Sequence, residues 1–300
     1  MFDFRQTLIG IGAMLVGSAA FILNDTLVKI ASEDLELGQV MLIRGLIASA
    51  IILALALRGR AFAGWRRHLS RPLATRTLGE VLGMVFYLIA LFNMPIANST
   101  AIMQSVPLMM TAAGAMFMGD VVGWRRWIAI CAGFCGILII VQPGAEGFNI
   151  FSLLALAAAA SVTLRDLSTR AMAASMPTLF VTAVTTLIVT MVGGSIALIE
   201  AAGGTNFQPV SLKAFLCLAG SAASVLVAYT LIIVAMRHGE TLTVAPFRYF
   251  QVLWAILAGW LVWDTVPQLP TLLGIAIVVA SGVYMVHRER QRIRALRAGT

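Results

Sequence analysis

Two pairs of opposite charges interrupt stretches that are otherwise apolar. Asp25 and Lys29 stand four residues apart in the first stretch, and Asp166 and Arg170 stand four apart in the sixth. Residues at i and i+4 share one helix face, so each pair can close as an ion pair. Arg44, in the second stretch, falls at a depth similar to Asp25, about six residues or ~9 Å from the acidic turn Glu33, Asp34, Glu36. Charged side chains in hydrocarbon cost about 2.5–3.5 kcal/mol each on insertion scales, so they need partners or a task. Three readings stand for Asp25, Lys29, Arg44, Asp166 and Arg170. They are structural ion pairs that orient helix ends, opposed gates whose pairs form and break, or direct contacts with a substrate.

Further polar groups gather in the fourth and ninth stretches. Pro107 removes one backbone hydrogen bond near the middle of the fourth, and Gln104 and Ser105 lie beside it. Gln251 holds the matching place in the ninth, beside Arg248 and Tyr249. A kink there would present polar groups at mid-membrane, where a ligand could bind; a kink used only for packing is the plain alternative. Arg248 suits an anionic or carbonyl-rich group, or its own backbone carbonyls. Tyr87 and Tyr229 could stack on a flat ligand or simply pack. Glu80 could carry a proton or pair with the basic loop that precedes it. The binding candidates are therefore Tyr87, Gln104, Pro107, Tyr229, Arg248, Tyr249 and Gln251, with Glu80 as proton candidate.

The elements that must position these residues are membrane helices. Of 300 residues 60% are hydrophobic and only 11% charged, which no water-exposed surface accommodates. A bilayer core takes about 20 apolar residues per helix. Ten stretches qualify: 8–30, 37–57, 75–94, 97–118, 124–141, 150–174, 178–199, 212–236, 242–263 and 269–286. The first runs on into Asn24, Asp25 and Lys29 without a small-residue cleavage site, so it reads as a retained helix. Cys131, Cys135 and Cys217 lie inside apolar runs as small packing residues. Trp124, Trp127, Trp260 and Trp263 read as interfacial anchors.

The net charge of +8 sits in clusters between apolar runs. Arg58, Arg60, Arg66, Arg67, Arg71 and Arg76 lie on one side with Arg5, Arg125, Arg126, Arg170, Arg237 and the run Arg288 to Arg297. Lys29 and Lys213 alone fall on the other, and Arg44, Arg165 and Arg248 fall within spans. The positive-inside rule then puts both termini in the cytoplasm. Such clusters suit anionic lipid rather than nucleic acid.

The second half echoes the first. Asp25 and Lys29 match Asp166 and Arg170. Tyr87, Met94, Ala97 and Ser99 match Tyr229, Met236, Gly239 and Thr241. Met118-Gly119-Asp120 matches Val262-Trp263-Asp264, and Gly136 matches Gly282. Five helices per half force the second half to enter the membrane from the opposite side. The predicted fold is all-α integral membrane, ten transmembrane helices as two inverted five-helix repeats. The predicted units are 1–147, 148–287 and a basic cytoplasmic tail, 288–300. Inverted repeats recur in secondary transporters, with the substrate near the midplane.

Two five-helix halves, each with a Pro- or Gln-centred helix, an acidic turn and a Gly-containing last helix, resemble the drug/metabolite transporter superfamily and its EamA-type ten-helix branch. The resemblance covers the whole chain. Asn24-Asp25-Thr26-Leu27-Val28-Lys29, followed by Gln39 and Ile43-Arg44-Gly45, is similar to a subgroup of riboflavin and S-adenosylmethionine uptake proteins. Other branch members export amino acids or drugs. The resemblance implies a central cavity lined by helices one, three, four, six, eight and nine, with alternating access.

Other classes fit poorly. His68, His238 and His287 lie far apart, and no HExxH, GxSxG or paired intramembrane aspartate motif is present. No nucleotide-binding GxxxxGK[ST] loop occurs, so active transport would draw on an ion or cargo gradient. A channel would need a continuous polar lining. The expectation is a transporter of the bacterial inner membrane, working on a small molecule among lipids, without cofactor or metal. Uptake of riboflavin or a similar heterocycle leads, amino-acid export follows, and a homodimer is compatible with either.

Overall fold

Lipid offers no partner to a backbone N–H or C=O, so a chain crossing it must satisfy its own groups as helix. The computed structural model describes residues 4–59, 62, 69–120, 122–142, 149–172, 176–204, 207–238 and 244–298. The expected division at 147/148, Gly239 and Thr241 of the repeat, and Arg60, Arg66, Arg67 and His68 lie outside the described residues. Among those described, ten helices are long and apolar enough to cross a membrane. They are Leu8–Ala31, Leu37–Arg58, Arg71–Asn93, Ile96–Phe117, Trp124–Val141, Phe151–Arg170, Thr178–Ala202, Leu212–Met236, Ala245–Trp263 and Leu269–Arg288. The chain is an all-helical integral membrane protein.

Local chemistry explains where the boundaries differ from expectation. The third span starts at Arg71, because Ser70 accepts a hydrogen bond from the Leu73 amide (3.4 Å) and Pro72 fills the first turn. The last helix continues to Ala298, so most of the expected basic tail is helical.

Spans four and nine are both broken. The fourth consists of Ile96–Met103 and Val106–Phe117, parted at Gln104 and Ser105 just ahead of Pro107. The ninth opens as a 3-10 turn, Ala245–Tyr249, around Pro246 before the helix Phe250–Trp263. A proline ring lacks the N–H and crowds the preceding turn, so a new helix begins around it. Both spans also end in left-handed turns, at Gly119 (φ +73°) and Asp264 (φ +50°), the positions the repeat aligns within one residue.

The helices pack in pairs drawn from opposite halves. Span one lies on eight, three on six, two on seven, five on ten, and four on nine. Exchanging the halves leaves this scheme unchanged: one–eight becomes six–three, and the other pairs map onto themselves. Small residues bring the paired backbones close. A Cβ on Gly136 would stand 2.9 Å from the Gly274 carbonyl oxygen, and one on Gly274 would stand 2.7 Å from that of Gly136. The interior joins Ile22, Val28, Leu88, Leu91, Val189 and Leu218 across the bundle. Phe117, Leu198, Leu216 and Leu261 are exposed on its periphery, as a lipid-facing surface requires.

Candidate functional site

Four spans place charges around one tyrosine. Tyr229 on the eighth span lies within electrostatic reach of Arg165 and Asp166 on the sixth, Glu80 on the third and Arg248 on the ninth. Arg44 on the second span also acts on it. Yet Tyr229 is 57% exposed. A side chain surrounded by charges from so many helices, and still open, projects into a space between them. Phe21 meets its ring edge to face, with centroids 5.1 Å apart.

Toward the acidic end stands a partly buried carboxylate. Asp25 accepts from the Tyr87 hydroxyl (2.6 Å) and from the Asn24 amide (2.8 Å). Asn24 in turn accepts from Arg44 (3.1 Å), so the side-chain amide couples Arg44 to Asp25. The sequence places Lys29 on this face, but the expected Asp25–Lys29 pair does not form. The Lys29 ammonium donates to the Met94 carbonyl and lies over the Trp263 ring, 5.3 Å from its centroid. The freed backbone end of the third span is the nearer acceptor. Trp263, at the end of the ninth span, donates from its indole to Glu33 (3.0 Å), which also meets Lys213 (3.5 Å).

Toward the basic end the second expected pair also fails. Asp166 binds its own neighbour, the Arg165 guanidinium (2.7 Å), while Arg170 reaches Asp120 at the end of the fourth span (3.3 Å). Arg165 also meets Glu80 (3.5 Å), and Arg76 meets the same carboxylate (3.9 Å). Among the described residues Glu80 therefore pairs with its own helix and the sixth span; most of the basic loop lies outside them. Arg76 further donates to Thr185 on the seventh span (2.9 Å).

The two departures obey one symmetry. Lys29 and Arg170 are equivalent in the repeat, and so are the turns holding Trp263 and Asp120. Each base of one half thus closes on the end of a broken span, one–nine at the acidic end and six–four at the basic end. The breaks also meet directly: the buried Gln104 amide donates to the carbonyl of Arg248, its own repeat mate (3.3 Å). The Arg248 guanidinium is exposed. Pro107 and Gln251 lie beside this junction, both partly buried.

Tyr249 turns elsewhere. It is buried, and a Cβ on Gly282 would lie 1.8 Å from its hydroxyl. Its ring fills the notch that Gly282 leaves in the last span, so it packs spans nine and ten together. Asn24, Arg165, Asp120 and Pro246 escaped the sequence reading as site residues. Arg165 carried a usable signal as a third charge inside a span. Asp120 stood in the repeat and Asn24 in the resemblance motif, but their partners follow only from which helices touch.

Paired charges, tyrosines and a backbone break can bind and release a solute, and among the described residues no three His, Cys, Asp or Glu side chains gather as a metal site would require. Residues 8–142 and 149–287 each match the model of the EamA-like transporter family. The chain belongs to that family. It is 25% identical over 289 residues to an S-adenosylmethionine uptake transporter of Rickettsia bellii, covering 94% of this chain and 95% of that one. It is 29% identical over 298 residues to a riboflavin transporter of Vibrio cholerae, covering 94% of each. A pseudopaline exporter of Pseudomonas aeruginosa is 23% identical, with 94% and 97% covered. A solved crystal structure shares the fold at 18% identity with a TM-score of 0.58, over 90% of this chain and 95% of that one. This EamA-type protein is a small-metabolite transporter of the bacterial inner membrane, not an enzyme.

Proposed function

We propose that this EamA-type transporter takes up a metabolite bearing a flat heteroaromatic ring, with riboflavin and S-adenosylmethionine as the test cargoes. The observation that carries the reading is Tyr229, open to the space between the spans while flanked by charges of both signs. An aromatic ring beside paired charges suits a heterocycle with polar substituents. The names of the Rickettsia and Vibrio relatives support the same class. Tyr87, equivalent to Tyr229 in the repeat, is the second aromatic wall. Arg248 and Gln104 supply polar contacts at the junction of the two broken spans, with Pro107 and Gln251 shaping it.

Transport proceeds by alternating access between two inverted halves, 1–147 and 148–287, with both termini cytoplasmic. The contact of Lys29 with Trp263 closes the periplasmic end, and that of Arg170 with Asp120 closes the cytoplasmic end. Each opens while the other holds. The exchange-symmetric pairing of spans supports this reading, since two like halves can trade conformations.

The test is growth of a riboflavin-requiring, transport-deficient bacterium carrying the gene at limiting vitamin, beside uptake of labelled S-adenosylmethionine. Growth or uptake that falls with Tyr229→Ala and Arg248→Ala supports import. Neither, despite good membrane expression, turns the reading to export, which the similarity to the Pseudomonas pseudopaline exporter favours.

A further inference from the structure

We propose that Asp25 is a proton-binding site, the carboxylate through which a proton gradient drives the cargo's passage. Asp25 lies within the first span and bonds to neutral donors, the Tyr87 hydroxyl and the Asn24 amide. It makes no ion pair within 4 Å among the described residues. The other carboxylates of the central and basic-end networks are matched by guanidinium groups: Glu80 by Arg76 and Arg165, Asp166 by Arg165, and Asp120 by Arg170. Lys29, one turn away and the natural counter-ion, is committed to Met94 and Trp263.

The groups facing Asp25 can be named span by span. The second offers Arg44, one amide away through Asn24, and the third offers Tyr87. Beyond these, Tyr229 on the eighth lies within electrostatic reach of Arg44, and Arg248, on the turn opening the ninth, within reach of Tyr229. The helix Phe250–Trp263 carries no ionisable side chain. A lone carboxylate in a water-poor site, held by donors that stay neutral, can exist with or without its proton more readily than one locked between guanidinium groups.

The step balances without any further reactant. Water at one membrane face yields a proton, which forms an O–H bond on an Asp25 carboxylate oxygen. Asp25 then carries no charge, and Arg44 loses the partner that Asn24 relays to it. Its guanidinium is left to hold a carbonyl or anionic group of the cargo beside Tyr229. When the opposite end opens, the O–H bond breaks, the proton passes to water there, and Arg44 returns to Asn24 as the cargo leaves. The membrane's own gradient supplies the drive. Glu80, the proton candidate from sequence, serves instead as counter-ion to Arg76 and Arg165.

Two measurements test the assignment, and only the second rests on the proposed cargo. Infrared difference spectra of the purified protein between acid and alkaline buffer should contain a protonated-carboxyl C=O band. It should vanish in Asp25→Asn and persist, displaced, in Asp25→Glu. Identical spectra for the native protein and Asp25→Asn overturn the proposal. In proteoliposomes, accumulation of labelled riboflavin under an imposed pH gradient is compared with its counterflow in the same vesicles. That ratio should fall at least about tenfold in Asp25→Asn and recover in part in Asp25→Glu. An unchanged ratio in Asp25→Asn, or a loss confined to Glu80→Gln, overturns the coupling. If the native protein exchanges neither riboflavin nor S-adenosylmethionine, the cargo reading fails, and the infrared band still decides whether Asp25 binds the proton.

Discussion

The ammonium of Lys29 sits over the indole of Trp263, joining the end of the first span to the end of the ninth. This contact replaces the helical pair with Asp25 and leaves that carboxylate to Tyr87 and Asn24. A cation over an indole face contributes about 0.5–2 kcal/mol, enough to hold a closure and little enough to release it. Lys29→Met should therefore lower uptake severalfold while shifting the melting temperature by only a few degrees. Trp263→Phe keeps a ring but loses the indole N–H that reaches Glu33, and should give a smaller loss. A melting-temperature collapse in Lys29→Met would mark the contact as structural.

The equivalent contact at the basic end can be tested by charge exchange. Arg170 and Asp120 are 47% and 44% exposed, so their pair adds at most about 1 kcal/mol to stability. Asp120→Arg or Arg170→Asp alone should depress transport, and the double exchange should restore a substantial share of it. Failure of the double variant, with normal membrane levels, would show that this pair is not a closure.

Gly282 should tolerate no side chain. Its Cβ would meet the Tyr249 hydroxyl and ring, so the ring would have to shift. Gly282→Ala should cost about 1–3 kcal/mol through overpacking, read as a lower melting temperature in detergent. Adding Tyr249→Leu should recover most of the loss, because the obstructing ring is gone. Equal melting of Gly282→Ala and the native protein would contradict the packing described.

Arg165 is the hub of the basic-end network, serving Glu80 and Asp166 at once. Arg165→Leu leaves two carboxylates without that partner and should destabilise the fold by about 1.5–3 kcal/mol, the usual worth of hydrogen bonds to charged groups. Arg165→Lys should recover only part, since one ammonium cannot reproduce the planar fork. Removing Glu80 as well should soften the loss, measurable as a coupling in a double-mutant cycle.

Topology has its own check. A reporter that is active only in the cytoplasm should work when fused after Thr300, and an alkaline phosphatase fusion there should be silent. The basic loop between spans two and three should also resist labelling from outside. The reverse pattern would overturn the orientation read from the arginines.

Much of the fold was legible in the chain itself. Hydropathy marked ten helices, since about 20 apolar residues is what the bilayer thickness demands and each helix satisfies its own backbone. Pro107 announced the break in the fourth span. Pro246 held the same information for the ninth, although the repeat aligns Gln251 with Pro107. The repeat also aligned Tyr87 with Tyr229.

Partner choice was not legible. Periodicity put Asp25 beside Lys29 and Asp166 beside Arg170 on single helix faces, and both pairs dissolved in the fold. Their strength would have been only a few tenths of a kcal/mol, and a neighbouring span offered each base something better: a free carbonyl and an indole for Lys29, Asp120 for Arg170. What the sequence determined by itself was the set of helices, their number and the polar groups each carries, because those follow from local spacing and the thickness of lipid. What only the tertiary structure decided was which of those groups meet, because lipid and leucine are equally apolar. Helix pairing is then settled by the fit of small residues such as Gly136 against Gly274, and no local pattern records that fit.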